Sequence, residues 1–315
     1  MTKYDIYFHG NCFDGLASAA VLTNFLYSRG DSVKKYIPIY HDAFYKISAS
    51  KSKNPIAIVD FLYHPKAEIY FDHHPTTFLN KRLKKQFKKG AMRVLDFKRP
   101  SCAGLIAHYI WKRFGYVFSK HIKELAQWAD RIDRLDIAYF DSPKKFYDFK
   151  SPAMRIAFSL SEDDSAAYQK MLIETLSREG INATAKLSKL KPLVKQFQKK
   201  FTSSMKYVKK NLIIKKKVVF LDNSEKNLVG FKFMVYHFYP KVRYGSNVSS
   251  HGKTYHLNVG YNPWNSGKNR INLGNLVRKL FGGGGHKYVG GANFKSKNAA
   301  IKAAEKVMEY LEING

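Results

Sequence analysis

Acidic residues are scarce in this chain and nearly vanish from one long stretch of it. Against 55 Lys and Arg stand 24 Asp and Glu, a net charge of +31 over 315 residues. Between 181 and 304 the only acids are Asp222 and Glu225, against 25 basic residues, a local excess of +23. Residues 1–180 hold 19 of the 24 acids. Cysteine is scarcer still: Cys12 and Cys102 alone exclude a disulfide scaffold and point to a reducing cytoplasm. No apolar run approaches the roughly 18 residues of a bilayer span, so no membrane partner is expected. The opening Met1–His9 reads as a strand, without a signal-peptide core.

What is present is an apolar content of 45%, enough for a full core and, at this length, for two domains. A positive field over 181–304 attracts polyanions and speeds their encounter. The excess is mostly lysine, so it equally fits solvated faces of a lysine-rich surface. Composition admits a polyanion partner without requiring one.

Short apolar runs alternate with helical patterns in the first part, the signature of a largely parallel sheet flanked by helices. Tyr4–His9, Val33–Tyr40, Pro55–Phe61, Ala67–Phe71 and Ala91–Phe97 read as strands. Ile56, Ala57, Ile58 and Val59 are continuously apolar, as in a strand covered on both faces. A helix follows from about Leu16 to Ser28, and Ser101 can cap another through Ile106 and Trp111. Ile122, Leu125, Ala126, Ala129 and Ile132 form a helical core stripe. From about Asp163 to Lys210 the pattern is helical, interrupted near Gly180 and Pro192. Leu212–Asp222, Val229–Tyr239 and Thr254–Tyr261 are strand candidates in the last part, with helices at Asn272–Phe281 and Asn298–Asn314. The expected fold class is α/β throughout: a catalytic unit over 1–180, a helical connector over 181–211, and a smaller α/β unit over 212–315.

Chemistry gathers in the first unit. His9 ends the first strand with Asp14 in the turn beyond, Asp60 follows Val59, Asp72-His73-His74 follows Phe71, and Asp130 lies further on. In parallel α/β sheets, ligands bind beyond the carboxyl ends of the strands, so these groups are expected on one edge. Carboxylates held together there repel one another and call for a counter-charge, which two divalent cations supply. Mixed carboxylate and imidazole donors suit Mn²⁺, with Mg²⁺ or Fe²⁺ as relatives. Such a site points to phosphate chemistry.

At these residues the chain resembles the DHH phosphoesterase superfamily, which includes the exonuclease RecJ, nano-RNases, cyclic-dinucleotide phosphodiesterases and family II pyrophosphatases. The resemblance rests on His9-Gly-Asn-Cys-Phe-Asp14-Gly15, Ile58-Val59-Asp60-Phe61, Asp72-His73-His74, Trp128-Ala129-Asp130 and Phe281-Gly-Gly-Gly-Gly285-His286. The last is similar to the signature of the accessory DHHA1 domain. The resemblance implies two Mn²⁺ ions, with Mg²⁺ as the alternative, and in-line hydrolysis of a phosphate ester. It implies Asp60 as the bridging and catalytic ligand, Asp14, His73 and Asp130 at one ion, and His9 at the other. His74 would stand at the scissile phosphate, and Asp72 would orient the histidines. Asp133 and Asp136 compete with Asp130, which is preferred because Trp128-Ala129-Asp130 matches the family spacing.

One position departs from that pattern. Cys12 stands where family members usually carry a further Asp, and a thiolate is a softer ligand than a carboxylate. In the last unit, Gly282–Gly285 can bring backbone N–H groups to an anion, with Gly284, Gly285 and His286 the expected substrate contacts. Arg270 is a candidate phosphate contact, and Trp264 serves either base stacking or core packing. The expected function is hydrolysis of short single-stranded oligonucleotides. The alternatives are hydrolysis of cyclic dinucleotides, 3′-phosphoadenosine 5′-phosphate or polyphosphate, or nucleic-acid binding without catalysis. An oligomer is compatible with the sequence.

Overall fold

In this computed structural model residues 1–40, 47, 52–265, 267 and 271–315 are described. The chain divides into two compact units, Met1–Tyr139 with Asp148–Gln196, and Phe140–Tyr147 with Phe197–Gly315. One boundary lies between Gln196 and Phe197, and the short segment Phe140–Tyr147 groups with the second unit. Among the described residues no helix is long and apolar enough to cross a membrane.

The first unit is built on five parallel strands: β1 (Lys3–His9), β2 (Ser32–Ile39), β3 (Ile56–Val59), β4 (Ala67–Asp72) and β5 (Arg93–Leu95). Their order is β2-β1-β3-β4-β5. The chain therefore steps to one side of β1 and then returns to its other side. This reversal opens a crevice at the carboxyl ends of β1 and β3, the place where such sheets take ligands. Ile6 and Phe8 of β1 and all four residues of β3 are buried, as expected for strands covered on both faces. Helices α1 (Phe13–Ser28), α2 (Cys102–Phe114), α3 (Lys120–Asp133) and α4 (Ala166–Glu179) belong to this unit. Ser101 caps α2 by accepting a hydrogen bond from the Gly104 N–H at 3.0 Å. Gly180, at φ +83, ends α4, while Pro192 lies in the first turn of the next helix, Leu190–Asn211, where its missing N–H costs nothing.

The second unit holds a six-stranded sheet of order β10-β11-β9-β8-β7-β6. It comprises β6 (Ile213–Lys215), β7 (Val218–Asp222), β8 (Tyr244–His251), β9 (Thr254–Tyr261), β10 (Gly284–His286) and β11 (Val289–Phe294). Only the β7–β8 pair is parallel. Two further helices, α5 (Leu273–Phe281) and α6 (Lys297–Asn314), share its core through Leu273, Val277, Ala300, Val307 and Leu311.

One expectation fails here. Val229–Tyr239, read as a strand, is helical: a 3₁₀ turn at Phe231–Phe233 continues into Met234–Phe238. The run buries Phe233, Met234, Val235 and Tyr236 consecutively, and a short continuous apolar run has no periodicity to separate helix from strand. The strand that the sheet uses instead is β8, whose Gly-Ser-Asn-Val-Ser-Ser composition resembles a loop. It is held by pairing on both sides, antiparallel to β9 and parallel to β7.

Candidate metal centre

His9, Asp14, Asp60 and His73 follow β1, β3 and β4 at the edge that the strand order defines. His9 is the last residue of β1, and Asp60 follows β3 with its own N–H on the Phe71 carbonyl at 3.0 Å. Asp60 takes φ +58 and Asn11 takes φ +56, both in the left-handed region. Backbone strain of this kind persists only where surrounding structure enforces it, and it gathers at functional sites. The turn from β1 into α1 is equally tight. A Cβ on Gly15 would stand 2.1 Å from the His9 carbonyl oxygen, so only glycine lets α1 begin there.

The side chains converge. His73 Nε2 lies 3.5 Å from Asp14 Oδ2, 3.6 Å from Asp60 Oδ1 and 3.5 Å from Asp133 Oδ2. His9 Nδ1 lies 3.5 Å from Asp60 Oδ2. Both Asp60 oxygens and His73 Nε2 are buried without a hydrogen bond. An unsatisfied buried polar atom costs about 1–3 kcal/mol, so three in contact with one another mark a place built for something else. Donors about 2.0–2.2 Å from a shared ion stand about 3–3.5 Å apart, close to the spacings found. Among the described residues three groups have donor atoms within 4.8 Å of one another: Asp14, His73 and Asp133; Asp60, His73 and His74; and His9, Cys12 and Asp60. Asp60 belongs to two of these groups and His73 to two, and together they fit a pair of cations.

Supporting contacts orient the donors. His73 Nδ1 is 3.1 Å from the Arg99 carbonyl, so it carries a proton there and leaves Nε2 as the atom aimed at the carboxylates. Asp14 is anchored on the first turn of α2, accepting from Cys102 N–H at 2.7 Å and Ala103 N–H at 2.9 Å. Asp72 Oδ1 accepts from the His73 N–H and meets His74 Nδ1, each at 2.8 Å. Asp72 thus faces the histidines rather than joining the donors.

The electrostatics describe a centre short of positive charge. Burial, with the nearby Asp60 and Asp133 charges, pushes the Asp14 carboxyl well above its usual range. Burial alone would raise Asp60 too, but His73 and His9 hold it below its ordinary value. Burial opposes a charged His73, yet Asp60, Asp14 and Asp133 push it up to about 10. A proton on His73 therefore occupies the role that a cation fills. The Cys12 thiol is pushed up by desolvation and by the Asp60 and Asp14 charges. His74 is raised chiefly by its bond to Asp72.

Asp130 is in none of these donor groups. The carboxylate that α3 sends to His73 is Asp133, whereas Asp130 Oδ1 accepts from Ser101 Oγ at 2.6 Å. Residues three apart share a helix face, and the cluster meets the last turn of α3 instead of the turn before it. That spacing was the signal available in the sequence, since Asp130 and Asp133 were equally placed on the face.

In the second unit the glycine-rich run forms β10 and the turn into β11, and crowding explains much of it. A Cβ on Gly285, at φ +130, would stand 2.2 Å from the Val289 carbonyl oxygen. His286 is exposed, and Gly284 has open space where a Cβ would stand. Trp264 is half-buried and packed: its Nε1 donates to the Phe140 carbonyl at 2.6 Å and its ring meets Phe233 edge-on at 5.2 Å. Arg270 lies outside the described residues.

No protein-family model and no curated protein matches this chain. Solved structures do. The chain is similar to PggH, a pGpG-specific phosphodiesterase from Vibrio cholerae, at 18% identity and TM-score 0.74 over 100% of both chains. It is similar to an exopolyphosphatase-related protein from Bacteroides fragilis, at 14% identity and TM-score 0.55, covering 98% of this chain and 92% of that one. It is also similar to RecJ in complex with Mn²⁺ from Thermus thermophilus, at 16% identity and TM-score 0.59, covering 99% of this chain and 52% of that one. At these identities the likeness is one of fold: the chain shares the fold of these three proteins.

Proposed function

We propose that the chain is a divalent-metal-dependent phosphodiesterase that hydrolyses short single-stranded oligonucleotides, linear dinucleotides foremost. The observation that carries this reading is the buried meeting of Asp60 and His73, whose donor atoms have no hydrogen-bond partner. Asp14, His73 and Asp133 would hold one ion, His9 and Cys12 the other, with Asp60 between them. Bound there, two cations neutralise phosphate charge and acidify a water, the chemistry of phosphate-ester hydrolysis. Mn²⁺ is the expected ion and Mg²⁺ the alternative, and RecJ structures with either metal support that choice.

The remaining groups of the chain act around that centre. His74 has its Nδ1 on Asp72 and its side chain 41% exposed, so its Nε2 is the atom that can give a proton to a leaving oxygen. Asp72 favours the protonated ring. The field over 181–304 draws in a substrate with several phosphates. Likeness to a protein named for pGpG favours a linear dinucleotide over a cyclic one.

The test is a panel of pGpG, defined trinucleotides, a cyclic dinucleotide, 3′-phosphoadenosine 5′-phosphate and polyphosphate, assayed with Mn²⁺. Linear oligonucleotides should be consumed fastest, and Asp60→Ala should lower that rate by about a thousandfold or more. Preferential consumption of polyphosphate would replace the substrate assignment. Salt-sensitive oligonucleotide binding with no turnover by the native protein would replace catalysis by simple binding.

A further inference from the structure

The two donor sets at the centre are chemically unlike. Asp14, His73 and Asp133 offer two carboxylates and an imidazole, while His9, Cys12 and Asp60 offer an imidazole, a thiol and a carboxylate. We propose that the position framed by His9, Cys12 and Asp60 selects a thiophilic divalent ion, of the Zn²⁺, Fe²⁺ and Co²⁺ class, over Mn²⁺, so that the two positions take different metals. This rests on the cation-binding part of the reading above and is independent of the substrate.

Two observations beyond the presence of a cysteine carry it. Asp60 Oδ2, within 3.5 Å of His9 Nδ1, is buried and without a hydrogen bond, aimed into the same position. The turn that presents Cys12 is fixed: the Asn11 N–H donates to Gln169 Oε1 at 3.0 Å, and the fully buried Gln169 donates to the Asp164 carbonyl at 2.7 Å. Thiolate ligands select Zn²⁺ and iron, whereas oxygen-rich sites suit Mn²⁺ and Mg²⁺. Cysteine binds as thiolate, so occupation releases the thiol proton to solvent.

The experiment uses the full chain stripped of metal with a chelator and titrated with Co²⁺. A thiolate-to-cobalt charge-transfer absorption should grow in the near ultraviolet and stop at one equivalent. Cys102→Ser should keep it, because Cys102 Sγ lies at the Phe71 carbonyl and in none of the donor groups. Cys12→Ser should lose it while still binding Co²⁺ at the oxygen-rich position. In competition, elemental analysis should find Zn²⁺ retained by the native chain, and Cys12→Asp should shift the Zn²⁺ to Mn²⁺ preference toward Mn²⁺ by about tenfold or more. Two Co²⁺ bound without the absorption would overturn the proposal and leave the binuclear centre standing. No Co²⁺ bound at all would remove both. The spectrum of the native chain decides even if a Cys12 variant does not fold.

Discussion

The carboxylate edge of the first sheet and the glycine-rich hairpin of the second both stand out in the sequence, yet they resolve differently. At the first, buried atoms of Asp60 and His73 make no hydrogen bond, and Asn11 and Asp60 hold left-handed backbone. Among the described residues no hydrogen bond satisfies those atoms, and a ligand is expected there. At the second, neighbouring backbone already accounts for the absence of a side chain at Gly285. Unusual residues alone therefore do not separate function from packing; what separates them is whether the fold satisfies them.

The largest effect expected from this contrast is at Asp133. Asp133→Asn removes a donor from His73's surroundings and should lower Mn²⁺-dependent turnover by about a hundredfold or more. Asp130→Asn keeps an acceptor for Ser101 and should stay within about threefold of the native rate. Reversed effects would restore the sequence-based choice of Asp130. That choice shows how legible the site was. His9, Asp14, Asp60 and the Asp72 triplet follow strands, and strand ends are readable because the apolar runs before them are continuous. A helix offers Asp130 and Asp133 on one face, and only the height at which it packs selects between them.

The second fold was less legible than the first for a related reason. Parallel strands buried on both faces announce themselves as apolar runs. The mixed sheet includes β8, whose Gly245, Ser246, Asn247, Ser249 and Ser250 give no such signal and which pairing alone defines. Gly285 tests how rigid that unit is. Gly285→Ala should destabilise it by about 1–3 kcal/mol, through its φ of +130 and the Val289 contact. Gly284→Ala should leave the melting temperature nearly unchanged. If Gly284→Ala raises KM for a dinucleotide at unchanged stability, the hairpin also contacts substrate, and the contrast between the two regions narrows.

The smallest effect concerns carboxylates of the second unit. Asp222 and Glu225, the only acids between 181 and 304, both meet Lys297, at 3.0 and 2.5 Å. Unlike Asp14 and Asp60, these groups keep contact with water, with side-chain exposures of 30% and 76%. Burial works to raise the Asp222 carboxyl, but bonds from Ser224 and Lys297 hold it below its ordinary value. A carboxyl depressed in the folded state stabilises above its unfolded pKa, and that contribution fades as pH falls through the folded value. Its window therefore lies below about pH 4. Solvent screening limits the pair to under about 1 kcal/mol. Lys297→Ala should accordingly cost no more than that near neutral pH in thermal unfolding, and the difference should shrink in high salt and below pH 4. A larger loss that persists in high salt would mean that the second unit, too, depends on a desolvated charge cluster.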